Sequence, residues 1–509
     1  MGKTYGVIDI GSNTIRFAIY THESAGRFRE IDNIKTVARL RNYLDEEENL
    51  SEEGIQVLLN TLQSYQDIAD YHGITHVKGA ATATIRRAKN QAEILRRMNE
   101  MTSFTINVFS EYEEAYYGYL AVMNSIAIED GLTIDIGGGS TEVTLFKGRE
   151  LLQYHSFPFG ALSLKRRFVS GEVPTKQERE NISAFLKEQF NSLEWLRNQS
   201  LPVVGIGGSA RNTAQVHQAM VSYPVGGLHQ YEMKQADIQS VLTHLKDQDI
   251  EKMKKVDGLS EDRADIIVPA VQVFQQFTAI VGAPTFILSR KGLRDGIFYE
   301  ELMRPHGVKI FPNVLEESLF ELTTEYNINT EHSLQISRLA QTMMIQLESL
   351  GVMSFSEDEV TLLKRAASVF YLGDYIDSES GSQHTFYVLA NRTIDGLTHL
   401  ERLQLALTAS FKSKSVFKQY AEPYCDWISK PEQKRLRVLG ALLKTAASLN
   451  ATKRNIVHDV KLEKKDDGLH FLVCHQRQVQ AEKYQTNKQK KHLEKALKCP
   501  IHLHFELGR

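Results

Sequence analysis

Cysteine is almost missing: 509 residues hold three thiols, Cys425, Cys474 and Cys499, all in the last fifth of the chain. That excludes a disulfide framework and fits a reducing compartment. A surplus of charge is missing too. Sixty Lys and Arg face 63 Asp and Glu, for a net charge of −3. This argues against a polycation that coats nucleic acid, while a local basic groove stays open. The most apolar stretch, Phe277–Leu288, is too short to span a bilayer and contains Pro284. The opening MGKTYGVIDIG lacks the basic-then-apolar layout of a secretion signal. The expectation is a cytoplasmic protein with no membrane or nucleic-acid partner. What remains, 42% hydrophobic and 24% charged, is ordinary globular composition. At ~150 residues per domain it predicts three domains.

Two segments share one pattern. In YGVIDIGSNTIRFAIY an apolar run ends at Asp9, a Gly-Ser-Asn turn follows, and Ile15, Phe17 and Ile19 alternate. In LTIDIGGGSTEVTLF the same order returns at Asp135, 126 residues later, with Val143 and Leu145 alternating. Both read as strand–turn–strand units, and their spacing predicts a duplicated domain. Between them the apolar spacing predicts a helix over 51–71, a strand over 76–83 and a helix running on to about Glu100. A third glycine turn, VVGIGGSARNTA, joins a strand to a helix at Val203–Ala214. A helix over 264–277 and a strand over 285–288 follow. Pro305, Gly307 and Pro312 mark a boundary at 304–312. Beyond it, helical periodicity covers 315–350, 357–372 and 400–411. The tail from Lys461 carries a net charge of roughly +5 by composition, and its alternating stretches predict a small terminal sheet.

Backbone N–H groups converge on an anion where small residues let the chain turn sharply. Gly137, Gly138 and Gly139 supply this, with Ser140 and Thr141 as hydroxyl donors; Gly11, Ser12, Asn13 and Thr14 supply a milder version. One such turn is equally a tight hairpin; the matched pair reads as a clasp on phosphate. An Asp at the mouth of each turn would repel phosphate unless a divalent cation is shared between them, which suits Mg²⁺. Asp135 and Glu142 are its natural ligands, with Asp9 within reach of the same ion. Arg86, after a run of small residues, suits bidentate phosphate contact. In SEYEEA, Ser110 and Glu113 have the form of a capping box. That leaves Glu114 free to act as general base toward a water, or as a second helix-dipole carboxylate.

Taken in order, DIGSNT, ATATIR, EYEEA, DIGGGSTE and GIGGSARN resemble the exopolyphosphatase and guanosine pentaphosphate phosphohydrolase family, within the actin-like, sugar-kinase-like superfamily. The resemblance covers about residues 1–305. It implies an α/β fold with two ribonuclease-H-like domains, at 1–125 and 126–304, around a cleft where phosphoanhydride is hydrolysed with Mg²⁺, K⁺ being a further candidate cation. Motif matching implies Glu114 as catalytic base, Asp135 and Glu142 as Mg²⁺ ligands, and Ser12, Asn13, Arg86, Gly138, Gly139, Ser140 and Thr141 as phosphate contacts. Gly207 and Gly208 fall on the superfamily's nucleoside-side turn.

The remainder, 313–509, resembles a mainly helical HD-like domain with the basic tail. His332 matches that fold's first metal-type histidine, but Phe370 and Tyr371 stand where His and Asp are expected; His384 is nearby. A metal-free domain that extends the substrate channel and forms a homodimer is therefore expected. In the tail, His502 and His504 share a strand face and Cys474 adjoins His475, with no four-ligand zinc spacing. The function expected is Mg²⁺-dependent release of terminal orthophosphate from inorganic polyphosphate. The alternatives are a 5′-phosphohydrolase of guanosine pentaphosphate and a non-catalytic polyphosphate or nucleotide sensor.

Overall fold

The computed structural model describes residues 3–22 and 28–507. The chain packs as two compact units, Met1–Tyr223 with Leu228–Val314, and Pro224–Gly227 with Leu315–Arg509.

The first unit holds two sheets of matching topology. Strands β1 (Lys3–Ile10), β2 (Ile15–His22), β3 (Phe28–Thr36), β4 (Val77–Ala81) and β5 (Thr105–Val108) lie in the order β3-β2-β1-β4-β5. The first three are antiparallel; β4 runs parallel to β1, and β5 to β4. The second sheet uses β6 (Gly131–Ile136), β7 (Thr141–Lys147), β8 (Glu150–Phe157), β9 (Val203–Ile206), β10 (Tyr231–Met233) and β11 (Phe286–Leu288), in the order β10-β11-β9-β6-β7-β8. Its β8-β7-β6-β9-β11 core repeats the first sheet's directions, and β10 is an added edge strand. The repeated Asp-Ile-Gly is thus the visible part of a repeated fold.

The sequence suggested one inward face for β2. Ile15, Phe17 and Ile19 are buried, but so are Ala18 and Tyr20, because helices cover both sides of the sheet. One side packs under α1 (Glu52–Tyr71), which Ser51 caps by accepting from the Gly54 N–H. The helix expected to run to Glu100 is two helices, α2 (Ala83–Arg87) and α3 (Gln91–Met101). At the break, Asn90 pairs with the backbone of Leu50: its Nδ2 donates to Leu50 O at 2.9 Å and its Oδ1 accepts from Leu50 N at 3.0 Å. The other side packs on α4 (Glu111–Met123) and the helix Leu293–Met303. These two helices fill the space between the sheets, in a core that takes Val7, Ala18 and Tyr20 from one sheet and Phe146, Val204 and Ile287 from the other. Gly296 permits their close crossing, since a Cβ there would strike the Tyr117 carbonyl.

The second unit is mainly helical. The helix read over 315–350 is broken into Val314–Glu325 and Thr330–Ser349, with Asn327 left-handed at φ 47 and Asn329 accepting from the His332 N–H to cap the second piece. Helices Glu357–Ser368, His399–Ala409 and Lys430–Ser448 follow. The unit ends in β12 (Val457–Lys465), β13 (Gly468–His475) and β14 (Ile501–Leu507), with β13 central, antiparallel to β12 and parallel to β14. Among the described residues no helix is long and apolar enough to cross a membrane.

Candidate active site

Parallel strands deliver side chains at their C-terminal ends, which is where α/β folds place ligands. Here the ends of β1, β4, β6 and β9 open into one cleft of about 180 Å³ within the first unit. The turns after β1 and β6 are built alike: Gly11 N donates to Thr14 O and Gly137 N donates to Ser140 O, each at 3.0 Å. They face each other closely, for a Cβ on Gly138 would lie 3.3 Å from Ser12 Cβ. The third turn brings the N-terminus of the helix Gly207–Met220 to the same place. Gly207 has φ +85, and a Cβ there would strike Asp135 Oδ1. The backbone therefore approaches that carboxylate as only glycine allows.

Four carboxylates line the cleft: Asp9, Glu114, Asp135 and Glu142. Burial pushes Asp135 up to about 7, assisted by repulsion from Glu142 and Asp9. Burial also raises Asp9, against the pull of Arg294, whose Nη1 lies 3.4 Å from Asp9 Oδ2. Glu142 is raised by burial despite the Ser156 hydroxyl, which donates to Oε1 at 3.0 Å. Such a group is costly without a cation to share.

Six cationic side chains line the same cleft: Arg16, Arg211, Arg263, Arg290, Lys291 and Arg294. Burial, with Arg294 and Arg211 as neighbours, lowers Arg16 to about 10. Arg211 is lowered by burial and by Arg290, Arg294 and Arg263. Like charges crowd in this way where an anion is to be held. Donor atoms are left over for one: Asn13 Nδ2, Arg211 Nε and Arg294 Nε are buried without a hydrogen-bond partner. Cations outnumber carboxylates, and the described lining contains no aromatic ring.

A family model described as the Ppx/GppA phosphatase family matches residues 19–305, and one described as Ppx/GppA phosphatase, domain III, matches residues 314–496. The chain belongs to the Ppx/GppA phosphatase family. The solved structure of the Aquifex aeolicus Ppx/GppA family member is 27% identical with a TM-score of 0.54, covering 60% of this chain and 99% of that one. A second Aquifex aeolicus structure, the type II variant of its Ppx/GppA phosphatase, is 26% identical with a TM-score of 0.50, covering 58% and 98%. An exopolyphosphatase from Cytophaga hutchinsonii, 23% identical with a TM-score of 0.54 over 60% and 99%, shares the fold. The paired sheets are of the actin and sugar-kinase type.

In this Ppx/GppA cleft the sequence-derived residues come together except for three: Arg86, Gly139 and Thr141 are not in its lining. The Thr141 hydroxyl is fully buried and donates to Phe159 O at 2.7 Å, so it secures the chain beneath the turn instead of facing phosphate. A Cβ on Gly139 would lie 2.8 Å from Arg41 Nη1 and 3.5 Å from Ser12 Oγ, so side chains already occupy the space beside it. The capping box of Ser110 and Glu113 is present, with Ser110 N donating to Glu113 Oε2 at 2.8 Å. Glu114, however, is not free: its Oε1 is ion-paired with Arg86 Nη1, which also donates to Phe109 O. Sequence reasoning missed the arginine cluster. Arg211 sits inside the quoted GIGGSARN and Arg16 follows the first turn, so both had a local signal; Arg263 and Arg294 had none. In the helical unit, His332, Phe370 and Tyr371 line a separate cavity of about 610 Å³.

Proposed function

We propose that this phosphatase is an exopolyphosphatase, releasing terminal orthophosphate from inorganic polyphosphate with Mg²⁺. The observation that supports this reading is the character of the cleft: small, with more cations than carboxylates and no ring in its described lining on which a base would stack. A volume of about 180 Å³ is below the roughly 300–1,000 Å³ of pockets that enclose a whole small molecule. It suits a chain end whose remainder lies outside.

The donor set fits Mg²⁺. Asp135, Glu142 and Asp9 are raised by burial, and a hard dication would relieve the crowding. Among the described residues, the only His, Cys, Asp or Glu trio with ligand atoms all within 4.8 Å of one another lies elsewhere. Mg²⁺ usually keeps waters and shares phosphate oxygens, so the three carboxylates need not close a cage on their own. When bound, Mg²⁺ would offset charge on the terminal phosphoanhydride.

The chain's own groups would do the rest. The turns at 11–14 and 137–140 present N–H and hydroxyl groups to the terminal phosphate. Arg211, Arg263 and Arg294 hold its oxygens. Glu114, oriented by Arg86, accepts a proton from the water whose oxygen attacks the terminal phosphorus. The bridging P–O bond breaks, and the shortened chain leaves on its own oxygen. Phosphate release from long-chain polyphosphate and from guanosine pentaphosphate, each with Mg²⁺ and with EDTA, tests this reading. Release from the polymer, abolished by EDTA, is expected; preference for the nucleotide would move the function to the capped substrate, and silence on both with binding retained would leave a sensor.

A further inference from the structure

The terminal sheet carries a group of side chains that the phosphatase chemistry does not use. Strands β13 and β14 are parallel, and their register sets His470 directly opposite His502, with His504 opposite Leu472. Leu469, Phe471, Val473 and Ile501 point to the interior, so period-two alternation puts His470, His502 and His504 together on the outer face. Asp467, in the turn before β13, reaches the same point: the His470 Nε2 lies 2.9 Å from Asp467 Oδ1 and the His502 Nε2 lies 3.5 Å from Asp467 Oδ2. The imidazoles of His470 and His502 have centroids 4.7 Å apart, at 25°. One ligand atom from each of Asp467, His470 and His502 lies within 4.8 Å of the other two.

We propose that Asp467, His470 and His502 form a binding site for one divalent transition-metal ion of the Zn²⁺ class, separate from the carboxylate cleft. Two imidazole nitrogens and one carboxylate oxygen are a standard three-ligand set for Zn²⁺, with water as the fourth ligand. Bonds of about 2.0–2.2 Å at tetrahedral angles put ligand atoms roughly 3.3–3.6 Å apart. The His502 distance of 3.5 Å falls in that range, and the His470 distance of 2.9 Å, to the other carboxylate oxygen, is a hydrogen bond that a bound ion would open slightly. Asp467 and His502 have exposed side chains, which keeps the fourth position open to solvent.

His504 supplies the outer contact that such sites use. Its Nε2 lies 2.9 Å from His470 Nδ1, with the two rings nearly coplanar at 5°. With a metal on Nε2, the remaining proton of His470 sits on Nδ1 and is donated to His504, fixing tautomer and ring angle. Glu463, paired across the sheet with His470, adds negative charge on that side and is itself 3.4 Å from Lys465. Donor type separates this site from the cleft: imidazole selects transition metals, whereas Mg²⁺ prefers the all-oxygen set.

Untagged full-length protein titrated with Co²⁺, read by visible absorption and then by Zn²⁺ displacement, tests this. One equivalent with intensified tetrahedral-type bands is expected. His470→Ala and His502→Ala should remove the signal, and His504→Ala should weaken affinity by about 10-fold. Asp467→Asn, in an exposed turn where folding is not at stake, should weaken it as well, with folding of each variant checked by circular dichroism. Glu142→Gln should leave the signal unchanged, so that failure here is distinguishable from failure of the cleft assignment. Absence of intensified bands, or bands that survive both His470→Ala and Asp467→Asn, would overturn the proposal.

Discussion

The carboxylate of Glu114, in the first turn of α4, is ion-paired with the guanidinium of Arg86, in the last turn of α2. The pair ties the proposed base to a cation that still has an unsatisfied buried Nη2. The proposed base lines the cleft, and the cation that orients it stands just behind the lining.

From this pairing, Glu114→Gln should lower kcat by about 10²–10⁴-fold while leaving polyphosphate binding intact or tighter, because Arg86 loses its internal counter-ion. Single-turnover phosphate release compared with equilibrium binding checks it. Equal loss of both would remove Glu114 from the base role.

The crowded arginines carry a different expectation. Arg211 has no carboxylate hydrogen-bonded to it among the described contacts, and its neighbours Arg290, Arg294 and Arg263 repel it. Arg211→Ala should raise KM for polyphosphate several-fold, change kcat little and flatten the dependence of KM on salt. A steady-state series across ionic strength reads all three.

Gly207→Ala places a methyl group against Asp135 at φ +85. The left-handed conformation alone costs about 1–2 kcal/mol for a non-glycine residue. The melting temperature should fall by several degrees, and half-saturation for Mg²⁺ should rise because the carboxylate is displaced. Thermal denaturation and a Mg²⁺ titration of activity separate the two effects.

His492 gives the helical unit a pH dependence. Burial, then Lys444, Lys491 and Lys495, lowers it to about 4, and its ring packs edge-on against Phe411. A histidine whose folded pKa lies below its unfolded value of about 6.5 favours the fold while neutral. That contribution is complete above pH 6.5 and is lost progressively as pH falls from 6.5 to 4. Urea melts across this window should show declining stability in the wild type and a flatter profile in His492→Gln.

What could be read in advance was local. The two strand–turn–strand units announced themselves because alternation and glycine turns lie within fifteen or so residues, and the capping box of Ser110 and Glu113 is a four-residue pattern. The arginine cluster could not be read, since Arg16, Arg211, Arg263 and Arg294 meet only through the packing of both sheets, and arginine in isolation is a surface residue. The pairing of Glu114 with Arg86 depends on how the end of α2 meets the start of α4, a tertiary matter. Thr141 was misjudged because hydroxyl chemistry says nothing about direction: it follows the turn on a strand whose alternation points it inward, to Phe159 O. The helical break at 326–329 rests on one left-handed Asn, and the His470–His502 contact rests on a parallel register between distant segments.

The central claim is that the cleft takes the end of a polyphosphate chain, and end-blocking tests it most directly. Phosphate release is compared between long-chain polyphosphate with free termini and the same polymer with both terminal phosphates capped as phosphoramidates. A cleft of about 180 Å³ that grips a terminal phosphate predicts steady release from the free chain and almost none from the capped one. Equal hydrolysis of both would mean internal cleavage and would contradict the account.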